Sequence, residues 1–176
     1  MPSVPTRYTD PRAHALRERY VATFGGDEIP VPVASIAEDL LGLRIEEDDL
    51  GDCSGMLIPG ERLIRVNAAE AMSGDTPTQR QRFTIAHELG HWICHAQGVD
   101  AAPTFCRSQD VSRDTDRVLE REANVFGAEL LMPEAAVREA WAAFPDASRL
   151  ASRFAVSSLA AQWRLYSFGL VEQPPR

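Results

Sequence analysis

Two histidines four residues apart constrain this chain more than any other feature. Residues 83–95 read Phe-Thr-Ile-Ala-His-Glu-Leu-Gly-His-Trp-Ile-Cys-His. On a helix, positions four apart share a face with Cβ atoms about 5–6 Å apart, which suits two ligands of one metal ion. With His87 at the origin of a helical wheel, His91 falls at roughly 40°, His95 at roughly 80° and Glu88 at roughly 100°. Phe83, Ala86, Leu89, Gly90 and Ile93 fill the opposite arc, and Ile85 and Trp92 extend it. The stretch therefore reads as a buried helix with a single polar window. Three of the four histidines of the chain fall within these nine residues, which an ordinary amphipathic helix with chance histidines explains poorly. Glu88 stands where it can act on a water held by the metal, so the pattern points to amide hydrolysis by zinc-activated water.

A catalytic zinc takes three protein ligands and keeps one position open. A second long helix, from about Thr115 to Leu131, offers Glu120 and Glu122 in Glu-Arg-Glu-Ala-Asn-Val-Phe, residues 120–126. Leu119, Ala123, Phe126 and Leu130 form its buried stripe and both glutamates flank it, so periodicity alone does not choose between them. Asn124 favours Glu120: one turn further along the same face, it can hydrogen-bond a metal-bound histidine and fix its tautomer. Ala123 and Gly127 suit a close approach of this helix to the first.

Around these helices the chain reads as follows. Arg12 to Phe24 and Val33 to Leu41 are expected helices, ended by Gly25-Gly26 and by Gly42. A strand begins at Leu43-Arg44-Ile45-Glu46. Residues 55–58 and 63–66 flank Pro59-Gly60-Glu61-Arg62, a hairpin signal. Asp75-Thr76-Pro77 is expected to open the motif helix, with Thr76 as its cap and Pro77 at its first position. Gly98 to Asp114 reads as a polar loop, Glu134 to Phe144 as a helix between prolines, and Ser148 to Gly169 as two short helices.

A length of 176 residues favours one compact domain, and 44% apolar with 25% charged residues is ordinary for a soluble protein. No apolar run nears the roughly 18 residues that span a bilayer, so no membrane partner is expected. Met1 to Asp10 is polar and proline-rich, unlike a signal peptide, and a cytoplasmic location is expected. A net charge of −8 argues against a surface that binds nucleic acid by bulk electrostatics. Cys53, Cys94 and Cys106 are an odd number without paired spacing, and reduced thiols are expected.

Arg82-Phe83-Thr84-Ile85-Ala86-His87-Glu88-Leu89-Gly90-His91, followed by Glu120-x-x-Ala123-Asn124-x-Phe126 and Leu130-Leu131-Met132-Pro133, closely resembles the ImmA/IrrE family of metallo-endopeptidases. The resemblance covers roughly residues 28 to 135; Gly127 departs from it, standing where alanine is common. It implies a zincin-like α+β fold with a small antiparallel sheet and a two-helix active site, over residues 1–145. A helix-turn-helix-like C-terminal segment, residues 146–176, is expected to pack on it. It also implies Zn2+ held by His87, His91 and Glu120, with Glu88 catalytic and Asn124 behind the ligands. The implied substrate is a protein, a helix-turn-helix transcriptional repressor, in a stress-response or mobile-element setting. Zincins bind substrate as an extended strand, and the 55–66 hairpin is the expected docking edge. The competing reading is a zincin-like regulatory module that binds a repressor, an antitoxin or DNA without turnover; an intact Glu88 counts against it, because binding alone requires no base.

Other residues rank lower. Tyr166, Arg113 and Arg117 are candidates for stabilising the oxyanion, without a choice among them. His95 extends the ligand face and could be a fourth ligand or a partner behind the ligands, but a capping or partly exposed residue is preferred. Cys94, beside the ligand window, could bind zinc but reads better as a small buried thiol. Cys106 as an inhibitory thiolate and His14 as anything but a surface residue are disfavoured. Leu150 to Leu165 has a helix-turn-helix pattern, with Arg149, Arg153 and Arg164 in an acid-free stretch over 147–171. Packing on the core is preferred there to DNA contact.

Overall fold

A computed structural model describes residues 9–70, 72–73, 76–99, 104–107 and 114–175. The chain opens with α1 (Pro11–Phe24), followed by the short α2 (Val33–Ser35), which runs on into a π-helical turn over Ile36–Leu40. Strands β1 (Arg44–Asp48), β2 (Gly55–Ile58) and β3 (Leu63–Asn67) come next, then the two-residue strands β4 (Met72–Ser73) and β5 (Thr76–Pro77). Helix α3 (Gln79–His91) carries the histidine motif and ends in a π-helical turn, Trp92–Ala96. Strand β6 (Phe105–Arg107) precedes α4 (Asp114–Leu131), α5 (Glu134–Ala143), α6 (Ala147–Phe154) and α7 (Ser158–Ser167). This is an α+β fold with a small sheet and a helical C-terminal region.

The sheet order is β1-β3-β2-β6. The β2–β3 hairpin is antiparallel, with Met56 opposite Arg65, and β6 joins β2 antiparallel, with Met56 opposite Cys106. β1 lies parallel to β3, with Ile45 opposite Ile64, so the sheet is mixed where an antiparallel one was expected. The connection from β1 turns back before β2 and returns through the hairpin, which brings β3 alongside β1 in the same direction. Both hairpin strands are therefore internal. The 55–66 hairpin offers no docking edge, because β6, drawn from the segment read as loop, lies along β2.

α3 begins later than its sequence suggests. Thr78 is the cap, its Oγ1 accepting the Gln81 backbone N–H at 3.0 Å, whereas Thr76 and Pro77 lie in β5. Asp75 lies outside the described residues. The Thr78 hydroxyl also donates to the Glu70 carbonyl, which ties the helix start to the preceding turn. α3 is buried from Thr84 through His91, as an apolar helix with one polar window requires.

What lets α4 lie against α3 is the absence of side chains at the crossing. A Cβ on Gly90 would stand 2.9 Å from both the Cα and the carbonyl oxygen of Ala123; one on Gly127 would stand 3.2 Å from the Ala86 carbonyl carbon and the His87 nitrogen. The helices thus meet backbone to backbone at two reciprocal points. Around the crossing, Leu57, Ile64 and Val66 of the sheet, Ile85 and Leu89 of α3, and Phe126, Leu130 and Leu131 of α4 form one apolar cluster. Burial of each such side chain contributes about 1.5–3 kcal/mol, against the entropy of ordering it.

Leu150, Phe154, Ala161 and Leu165 of α6 and α7 belong to the same cluster. Arginines bind this region to the core, Arg164 and Arg82 among them. The Arg164 guanidinium, 2% exposed, pairs with Glu129 of α4 and donates through Nε to the Met132 carbonyl at 3.0 Å. Arg82 of α3 donates to the carbonyls of Val31, at 2.9 Å, and of Ala155, at 3.3 Å, in the α6–α7 turn. Arg164 is therefore lost to any basic surface, and Arg149 lies over the Phe144 ring, 4.1 Å from its centre. Ala155 ends α6 with φ 50°, the left-handed position where glycine is usual.

The cysteines correct their sequence reading. Cys53 and Cys106 form a disulfide with Cα atoms 6.4 Å apart, within the span such a bond needs, and it ties the start of β2 to β6. Cys106 is thus no free thiolate. Cys94 is the free cysteine, with burial pushing its thiol up to about 12, so it stays protonated and a poor metal ligand. His14 is exposed beside Glu18 on α1.

Three outcomes follow for the fold. Gly90→Ala should lose stability, because overpacking of about 1–3 kcal/mol exceeds the gain of up to about 1 kcal/mol in helix propensity. Gly127→Ala, with looser contacts, should come out near neutral; urea unfolding of both variants checks the ranking. A thiol reagent in denaturant without reductant should label Cys94 alone, and all three cysteines after reduction. Asp10 caps α1, accepting the Arg12 backbone N–H at 2.9 Å; its burial opposes ionisation, but the Arg12 side chain and these N–H groups outweigh it and hold its pKa below the usual value. A depressed carboxylate stabilises above its unfolded pKa of about 4 and less as the pH falls through the folded one. Asp10→Ala should therefore cost about 1 kcal/mol at pH 7, with the gap from wild type closing below about pH 4.

Candidate metal centre

The close crossing of α3 and α4 sets three donor atoms together. The Nε2 atoms of His87 and His91 are 3.1 Å apart; Glu120 Oε1 is 3.0 Å from His91 Nε2, and Oε2 is 3.2 Å from His87 Nε2. Ligands at about 2.0–2.1 Å around a tetrahedral ion stand roughly 3.3 Å from one another, so the three fit one metal with a small outward adjustment. The donor set of two imidazoles and a carboxylate suits zinc and leaves a fourth position open. Both imidazoles are buried and the Glu120 side chain is 18% exposed, so the cluster meets solvent on the α4 side. Burial alone would raise the Glu120 pKa, but its contacts with the His87 and His91 imidazoles outweigh this and take it down to about 2. The carboxylate is ionised across the range in which proteins work.

Glu88 is fully buried on the α3 face towards the sheet. Gly55, the first residue of β2, makes room for it: a Cβ there would lie 3.1 Å from Glu88 Oε1 and run into the Thr84 methyl. A strand thus passes directly over the carboxylate because its residue at that point has no side chain.

Each histidine of the pair is held from behind by its Nδ1. His87 Nδ1 lies 3.1 Å from Asn124 Oδ1, and an amide oxygen only accepts, so Nδ1 carries the proton and Nε2 offers its lone pair to the cluster. This is the contact the sequence led one to look for. His91 Nδ1 lies 3.1 Å from His95 Nδ1, and His95 Nε2 lies 2.9 Å from Glu122 Oε2. His95 is therefore neither cap nor exposed; its side chain is 7% accessible. Burial lowers its pKa, with Glu122 acting in the opposite sense.

Sequence reasoning left three residues here without the places they take in the structure. Glu122 appeared only as the glutamate not chosen, yet it closes the chain behind His91. The signal for His95 was its own position, four residues past His91. Phe105 stacks on the His91 ring, with centroids 4.5 Å apart and planes 17° apart, and nothing in a polar loop announced it. Of the oxyanion candidates, Tyr166 packs edge-on against Trp163 in α7, Arg117 is exposed on α4, and Arg113 lies outside the described residues.

Residues 71–166 match a peptidase family, that of the IrrE N-terminal-like domain. The chain is 31% identical over 168 residues to the radiation response metalloprotease IrrE of Deinococcus radiodurans, covering 93% of this chain and 46% of that protein. It is 28% identical over 137 residues to the metallopeptidase ImmA of Bacillus subtilis, covering 74% of this chain and 73% of ImmA. In fold it is similar to a Mycobacterium tuberculosis transcriptional regulator, with a TM-score of 0.60 at 20% identity, over 88% of this chain and 46% of the other. The chain thus spans under half the length of IrrE and of the mycobacterial protein. The family match extends beyond the motif helices through α5 and α6 into α7, and with the two relatives it shows that this chain belongs to the ImmA/IrrE family of metallopeptidases.

Proposed function

We propose that this chain is a zinc-dependent endopeptidase that cuts a partner protein at few sites, the partner being a helix-turn-helix transcriptional repressor in the cytoplasm. The observation that carries the reading is the convergence of His87, His91 and Glu120 beside the buried carboxylate of Glu88. Two imidazoles and a carboxylate suffice for holding a metal; the glutamate that follows His87 in the chain, buried under Gly55, is what hydrolysis adds.

A zinc ion bound there would supply Lewis acidity, acidifying water and polarising a peptide carbonyl. Glu88 takes a proton from the attacking water and hands it to the departing amine. Asn124 holds the proton of His87 at Nδ1 so that Nε2 stays a ligand. An extended substrate would lie along β6, the sheet edge nearest the centre, whose Phe105 covers the His91 ring. Similarity to ImmA and IrrE supports the peptidase chemistry, and the repressor as substrate rests on the ImmA/IrrE resemblance.

The test is a purified chain with its candidate repressor. Cleavage should stop on chelation and return with zinc. Glu88→Gln should retain zinc and lose at least 100-fold in turnover, as removal of a general base predicts, whereas His87→Ala and Glu120→Ala should lose the metal. Repressor inactivation that survives in zinc-loaded Glu88→Gln would overturn the endopeptidase reading.

A further inference from the structure

Behind His91 stands a second polar chain that the reaction itself does not use. His91 Nδ1 is 3.1 Å from His95 Nδ1, and His95 Nε2 is 2.9 Å from Glu122 Oε2. His95 sits in the π-helical turn Trp92–Ala96, which follows α3 directly. The wider turn carries the ring over His91 at 5.2 Å between centroids, and Phe105 flanks both rings. Such single π-turns are enriched at functional sites.

The proton positions along this chain follow from which atoms can accept. An ionised Glu122 oxygen accepts only, so His95 Nε2 bears the hydrogen. A neutral His95 then has a lone pair at Nδ1, and the 3.1 Å contact requires His91 Nδ1 to be the donor. His91 is left with its lone pair at Nε2, the atom that faces His87 and Glu120. We propose that Glu122 and His95 form a tautomer-fixing relay that holds the His91 proton at Nδ1 and keeps Nε2 as a metal ligand, a positioning role matching that of Asn124 towards His87. The inference rests on the metal-site reading above. It assigns to His91 an indirect carboxylate, reached through an imidazole, where His87 has an amide.

The experiment measures the zinc dissociation constant of the full chain by competition with a chromophoric chelator, alongside the Tm of the metal-free protein. His95→Ala removes the acceptor and should weaken zinc binding about 10- to 100-fold, the usual effect of losing a partner behind a ligand. His95→Asn places an amide oxygen where Nδ1 was and should recover most of the loss. Glu122→Gln keeps an oxygen acceptor but not its charge and should lose less than His95→Ala. The deciding comparison is His95→Asn against His95→Ala, with Glu122→Gln standing in if His95→Ala fails to fold. Equal zinc affinity in wild type and His95→Ala overturns the relay, as does His95→Asn binding no better than His95→Ala with the same fall in Tm, since that marks mere packing. A wild-type chain that binds no zinc overturns the metal-site reading itself, which separates the two failures.

Discussion

Everything at the candidate centre depends on how closely α4 can lie against α3. Gly90 faces the backbone of Ala123, and Gly127 faces that of Ala86 and His87, so the crossing has no side chain between the two main chains. Glu120 stands one turn before Ala123, and this contact is what brings its carboxylate to 3.0–3.2 Å from both Nε2 atoms. A carboxylate reaches only about three bonds from its backbone, so an added methyl layer would leave it short of the histidines. Asn124 and Glu122 come from the same stretch of α4 and depend on the same contact. Packing and site are one construction here: the apolar cluster of Leu89, Phe126 and Leu130 holds the helices together on the far side while the polar residues meet on the near side.

The sheet contributes from the opposite direction. β2 passes over Glu88 at Gly55, and β6 lies along the outer edge of β2. Phe105 on β6 stacks on His91, and the neighbouring Cys106 is bonded to Cys53 just ahead of β2. The strand nearest the centre is thus anchored at both a ring and a sulfur. The edges of the four-stranded sheet are β1 and β6, and both hairpin strands lie inside it.

The C-terminal helices are part of the same body. Arg164 is withdrawn into an ion pair with Glu129, and Arg82 of the motif helix holds the turn at Ala155. Burial of Arg164 costs solvation that Glu129, the Met132 carbonyl and the Phe168 ring offset together. A stretch that looks basic in sequence therefore spends one of its three arginines on cohesion. The likeness to a mycobacterial transcriptional regulator is one of fold.

Much of the centre was legible without a structure, because helical periodicity is a local rule. Spacing alone put His87, Glu88 and His91 on one window of a buried helix, and Glu120 with Asn124 on one face of another. The helix ends at Gly25, Gly42 and Pro133, and the hairpin at Pro59-Gly60, were readable for the same reason, whereas the helix start expected at Pro77 was not. Contacts between segments far apart in the chain were not. That β1 runs parallel to β3, that β6 exists and covers β2, that Cys53 meets Cys106, and that Phe105 stacks on His91 all depend on where loops return, which no spacing encodes. Glu120 and Glu122 show the boundary within seven residues: the sequence set both beside the buried stripe of α4, and only the position of α3, with His87 and His91 to one side and His95 to the other, decided which glutamate faces the centre and which stands behind it.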